Sequence, residues 1–131
     1  MEQFKPDLSQ YREQYSLDIV SKTVSFDIAR KDEFTGEQYK GHFKIKLFLS
    51  LKERTLAAAS YSKKNLGVEK TDPIYSLNKI ICELQAASVE CPEWFKGDEP
   101  FNLVDAEGII DMIFTLHLAA GEEYISHLQS R

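Results

Sequence analysis

Between Val24 and Leu51 hydrophobic residues fall on every second position. One run, Val24-Ser25-Phe26-Asp27-Ile28, leads out, and a second, Phe43-Lys44-Ile45-Lys46-Leu47-Phe48-Leu49, leads back. Strict alternation is the period of a strand with one buried and one wetted face, so the pattern predicts a β-hairpin. Arg30, Asp32 and Phe34 continue the register of the first run, and Tyr39 and Gly41 that of the second. Pairing these extensions leaves Thr35-Gly36-Glu37 as the turn, with Gly36 supplying a positive φ. The hairpin is then expected to project well beyond the core, carrying Lys31, Asp32, Glu33, Glu37 and Lys40 on its outer half.

Helical signals flank the hairpin. Leu8, Tyr11 and Tyr15 recur at helical spacing after Pro6-Asp7, predicting a short helix over about Asp7–Gln14. Leu17 to Val20 is a candidate third strand. Ser50-Leu51-Lys52-Glu53 has the form of a capping box, which starts a helix running from Leu51 to about Lys64 and ending before Gly67. Asp72 and Pro73 form a second start signal. Leu77, Ile80, Ile81, Leu84, Ala87 and Cys91 then mark one face of a helix predicted from Pro73 to about Glu90 and stopped by Pro92. An aromatic loop, Cys91 to Phe101, leads to a last helix starting at Asn102 or Asp105 and reaching about Leu128.

The elements together predict an α+β fold: a long antiparallel hairpin, with room for a third strand, packed on three α-helices and preceded by a short N-terminal helix. The chain is read as a single domain, 1–131, with a lead-in at 1–22, the hairpin at 23–50 and a helical part at 51–131. Phe26, Ile28, Phe43, Ile45, Leu47, Leu77, Ile81, Leu84, Ile110 and Phe114 are the expected core.

Composition agrees with a globular domain: 131 residues, 43% hydrophobic and 28% charged. A net charge of −5 opposes general nucleic-acid binding, whose affinity comes from cation density. No apolar run approaches the ~18 residues of a membrane span. Met1 to Pro6 lack the basic-then-apolar pattern of a secretion signal. Cys82 and Cys91, if carried on one helix, fall on opposite faces and cannot pair, so both are expected as small buried thiols in a reducing compartment.

Motifs for catalysis do not emerge. His42, His117 and His127 have no cysteine or carboxylate at ligand spacing, so no metal is expected. The adjacent carboxylates Asp98-Glu99 and Glu122-Glu123 read as solvated charge, and the sequence holds no phosphate loop or nucleophile elbow. The expectation is a non-enzyme without cofactor. Charge is uneven along the chain: seven cations and one anion from Lys40 to Lys64, eight anions and one cation from Glu93 to Glu123. Either these neutralise one another in the fold or they steer copies of the chain, or a charged partner, into place. Lys44 and Lys46, with Phe48 on the same strand face, form the one candidate nucleic-acid contact, which the total charge argues against. Trp94-Phe95 reads as a lid over the core or as a hot spot for a partner.

The order Phe34-Thr35-Gly36-Glu37, Tyr39-Lys40-Gly41-His42-Phe43, Lys46-Leu47-Phe48-Leu49-Ser50-Leu51, a helix, and then Pro92-Glu93-Trp94-Phe95 before a final helix resembles small tail-morphogenesis proteins of long-tailed bacteriophages, several of them tail assembly chaperones. The likeness covers roughly residues 24–115. It implies a non-enzymatic role in particle assembly, coating a tape-measure protein or delivering tube subunits, in the host cytoplasm. A permanent subunit of the capsid, neck or tail is the alternative, and a nucleic-acid-binding accessory protein a second. Partners would be other phage proteins or copies of the chain itself, and neither nucleic acid nor a membrane is expected. Phe34, Tyr39, Lys44, Lys46, Trp94 and Phe95 are the candidate contact residues.

Overall fold

A computed structural model describes residues 9–129. The chain forms α1 (Ser9–Gln14), β1 (Asp18–Val20), β2 (Thr23–Lys31), β3 (Gln38–Lys46), α2 (Leu51–Lys64), α3 (Pro73–Ala87), β4 (Ser88–Glu90) and α4 (Ala106–Gln129). Two short 3-10 turns, Glu93–Phe95 and Glu99–Asn102, precede α4. The strands make one antiparallel sheet in the order β1-β2-β3-β4, with α3 and α4 against one face. This is the expected α+β arrangement, and the third strand lies at Asp18–Val20. The Pro6-Asp7 signal, Leu8 and the Met1–Pro6 segment lie outside the described residues. Among those described, no helix is long and apolar enough to cross a membrane.

Alternation sets the sheet's two faces. The pairs Val24–Ile45 and Phe26–Phe43 both point inward. The Phe26 and Phe43 rings stack at 5.4 Å between centroids. Against them α4 supplies Ile109, Ile110, Ile113 and Leu116, and α3 supplies Ile81, Leu84 and Ala87, all buried. Eight of the ten expected core residues are buried, while Leu77 and Phe114 are only partly so, at the edges of the core. The other face carries Thr23, Ser25, Asp27, Ala29 and Lys31 on β2 opposite Lys46, Lys44, His42, Lys40 and Gln38 on β3.

Four expectations are corrected. The strands end at Lys31 and Lys46, so the turn is the longer Asp32–Glu37 segment, and Leu47 to Leu49 lie past β3. Gly36 does take a positive φ, +76°. The helix from Pro73 ends at Ala87 rather than near Glu90, because Ser88–Glu90 extends to pair with Lys44 and Ile45 across a bulge. Cys91 is therefore not on the helix that carries Cys82; it is half-buried and Cys82 buried. The last helix begins at Ala106, one residue after the later of the two expected starts.

The hairpin does not stand free of the core. Asp32, expected on its solvated outer half, is 1% exposed, and Gly41 marks where the aromatic loop crosses the sheet. A β-carbon there would lie 2.5 Å from both Cβ and Cγ of Pro92. Glycine is thus required by close approach rather than by backbone conformation.

The capping box at α2 is complete: the Glu53 amide donates to Ser50 Oγ at 3.2 Å, and the Ser50 amide to Glu53 Oε1 at 2.9 Å. Lys46 Nζ donates to the other carboxylate oxygen at 2.7 Å, so β3's end and α2's start share one anion. The Lys46 ammonium, followed by the Ser50 donors, brings Glu53 down to about 2.

Two outcomes follow. Gly41→Ala should lower unfolding stability in urea by about 1–3 kcal/mol, the usual cost of overpacking. A depressed carboxylate contributes stability above its unfolded value and loses it as pH falls through the folded one. The melting-temperature difference between the unsubstituted chain and Glu53→Gln should therefore be full above pH 4.5 and close towards pH 2.

Candidate functional site

The hairpin tip is bolted to the start of α4 by two carboxylates. Asp32 Oδ1 accepts from the amides of Phe34 at 2.8 Å and Thr35 at 2.9 Å, which closes the turn locally. Its Oδ2 accepts from the Asp105 amide at 3.0 Å, 73 residues further along the chain. Asp105 returns the contact, its Oδ2 accepting from the Glu33 amide at 3.2 Å. Its Oδ1 accepts from the Gly108 amide at 3.3 Å, the bond of an N-cap to the third helical residue. Burial pushes the Asp32 carboxyl up, but the amides of Thr35, Asp105 and Phe34 outweigh it and leave the group below the ordinary aspartate value. A side chain at Gly108 would meet Asp105 Oδ1 at 2.8 Å and Arg30 Nη2 at 2.9 Å, so the small residue is what lets the pieces meet.

This clamp fixes Phe34, which is 75% exposed. Beside it lies a hollow of about 390 Å³ between α3, the Pro100–Val104 segment and the first turn of α4. Ile74, 50% exposed, and Val104, 61% exposed, stand on its rim, and Leu77 and Phe101 line it. Its charged rim residue is Glu107, with Asp105 spent in the clamp. A large apolar ring held rigidly outward beside an apolar depression is the form of a protein-docking surface.

The other candidate contact residues are placed differently. Tyr39 is half-buried, its hydroxyl donating to Glu37 Oε2 at 2.9 Å. Trp94 donates from Nε1 to the Lys40 carbonyl at 2.8 Å, and its ring meets Tyr39 and Phe43 edge-on at 5.3 and 5.7 Å. Phe95 is fully buried against Phe43, so it offers no surface to a partner. Gln85 holds this loop through the carbonyls of Phe95 and Gly97, both at 2.9 Å. The Trp94 loop is a fixed cover over the sheet's inner face.

Lys44 and Lys46 lie on the open sheet face among acceptors. Lys44 is opposite Glu90, and Lys46 is bound to Glu53. Next along the same face His42 donates from Nδ1 to Asp27 at 2.8 Å. Phe48 does not share their strand face; its ring lies 5.8 Å from Tyr124 of α4. Among the described residues no His, Cys, Asp and Glu side chains gather as a metal site would require.

Asp105→Ala should cost about 1–2 kcal/mol, the usual loss of a helix cap, and speed amide exchange at Glu33 and Gly108. Phe34→Ala, at an exposed site, should leave stability unchanged within about 0.5 kcal/mol. A large loss there would show that the ring supports the fold.

Searches for relatives returned no matching family model, no matching curated protein and no matching solved structure.

Proposed function

We propose that this chain is a non-enzymatic binding protein of the tail-assembly-chaperone kind, gripping a tail-building protein through the Phe34 tip and the hollow beside it. The observation that carries the reading is the exposure of Phe34 on a turn whose backbone is already immobilised by Asp32. Pre-organisation removes most of the ordering cost that a flexible loop meets on binding. Ile74 and Val104 supply the apolar surround that excludes water from such an anchor, and Glu107 favours a partner segment carrying lysine or arginine beside its apolar residues. On this reading the protein works in the host cytoplasm while the tail is built.

The test is co-expression of the chain with the tape-measure protein of its own genome, followed by affinity purification, together with mass spectrometry of finished particles. A chaperone is recovered with the tape-measure protein and is absent from particles. Phe34→Asp should abolish the co-purification while leaving the melting temperature unchanged. Full binding by that variant removes the tip from the interface. Presence in particles at a fixed copy number replaces the chaperone reading with that of a structural subunit.

A further inference from the structure

A second recess lies elsewhere on the molecule, where the chain leaving β3 passes over α3 and α4. It is a cleft of about 360 Å³ whose walls are mainly apolar, with Leu49, Ile80, Leu84, Phe114 and Leu118 among them. Its polar groups are Arg54 of α2, Glu83 of α3 and His117 of α4.

His117 defines the chemistry. Its Nε2 lies 2.8 Å from the Lys46 carbonyl oxygen. A carbonyl only accepts, so Nε2 carries the proton and the neutral ring keeps a lone pair on Nδ1. That nitrogen has no protein partner among the described residues. No described side-chain nitrogen or oxygen is both sealed from solvent and unpaired, so Nδ1 opens outward, and the open space His117 lines is the cleft. Burial also pushes the imidazole below its ordinary value, against the opposing effect of the Lys46 carbonyl, which keeps the ring neutral near pH 7.

We propose that this cleft binds a small, uncharged, largely apolar molecule that presents one O–H or N–H donor to His117 Nδ1. The volume falls in the range of small-molecule sites, about 300–1,000 Å³, and the lining follows their pattern of apolar walls with few placed polar atoms. Arg54 and Glu83 are of opposite sign on the same cleft, so with neutral His117 the site has no formal charge with which to favour an ion. A donor-free hydrocarbon would leave Nδ1 stripped of water without a partner, and an acceptor-only ligand would oppose lone pair to lone pair. The inference is independent of the hairpin tip, which shares no residue with this cleft.

Indole and N-methylindole make the decisive pair of probes, because they share a ring system and differ in the N–H. Titrated into the full chain, indole should shift the His117 imidazole NMR signals saturably. N-methylindole should bind about 3–10-fold more weakly, the value of one hydrogen bond. Benzoate should bind more weakly than indole. Leu118→Trp, which fills the half-exposed edge of the cleft, should abolish the shift without lowering the melting temperature. His117→Phe should erase the preference for indole. That variant also removes the bond to Lys46, so the probe comparison on the unsubstituted chain decides the matter if it fails to fold. Equal affinity for the two indoles, no saturable shift, tighter binding of benzoate, or binding that survives Leu118→Trp would each overturn the proposal. So would a dimer that indole dissociates, since the cleft would then belong to a second copy.

Discussion

Five backbone amides converge on two carboxylates where the hairpin meets α4: Phe34, Thr35 and Asp105 on Asp32, and Glu33 and Gly108 on Asp105. Burying an ionised carboxylate is costly unless its lone pairs are satisfied, and here the backbone satisfies them. The same bonds also provide for donors that would otherwise be orphaned, those of a six-residue turn and of a helix N-terminus, where negative charge is favoured by the helix dipole. Each aspartate thus serves its own local element with one oxygen and the distant element with the other. Because the exchange is reciprocal, the turn and the helix start cannot separate without both losing partners. The hollow between them, and the outward direction of Phe34, inherit that rigidity.

The parts of this fold legible in the sequence were those written locally. Alternation gave the inward pairs of β2 and β3, Ser50 and Glu53 announced α2, Asp72-Pro73 announced α3, and Gly36 announced a turn needing positive φ. What stayed hidden depends on residues far apart in sequence. The apolar spacing of α3 runs on through Ala87 to Cys91, so period alone continues the helix; pairing of Glu90 with Lys44 ends it, and no local residue declares that strand. Asp32 reads as solvated because charge at a hairpin tip usually is, and only the Asp105 amide overrides that default. Trp94 is balanced between lid and contact until the Lys40 carbonyl and the bare backbone of Gly41 are seen beneath its loop. Of the candidate site, Phe34 was named only through the resemblance, and Ile74 and Val104 not at all, since their meeting depends on three separate elements.

Charge that is lopsided along the chain is partly compensated in space. Lys64 of the basic stretch binds Asp98 of the acidic one at 2.7 Å, Lys46 binds Glu53, and Glu123 is met by Arg12 from α1. Exposed pairs of this kind are screened by solvent and contribute little to stability. They do not hold the fold together, and of the three only the Lys46–Glu53 pair engages a lysine of the open sheet face. For Lys64 and Asp98, charge segregated along the sequence marks two segments that meet in the fold.

The two recesses share a wall. On α3, Leu77 and Ile81 line the hollow beside Phe34, while Ile80 and Leu84 line the cleft with His117. Neighbouring positions on a helix differ by about 100° in direction, so Ile80 and Ile81 turn toward adjoining recesses from one face of the rod. Across the rod stands α4, whose first turn bounds the hollow and whose Phe114, His117 and Leu118 bound the cleft. A close-packed interior accommodates displacement by moving whole elements rather than by compressing them. The Asp32–Asp105 clamp anchors the α4 end of that pair. The same helix pair thus walls both recesses.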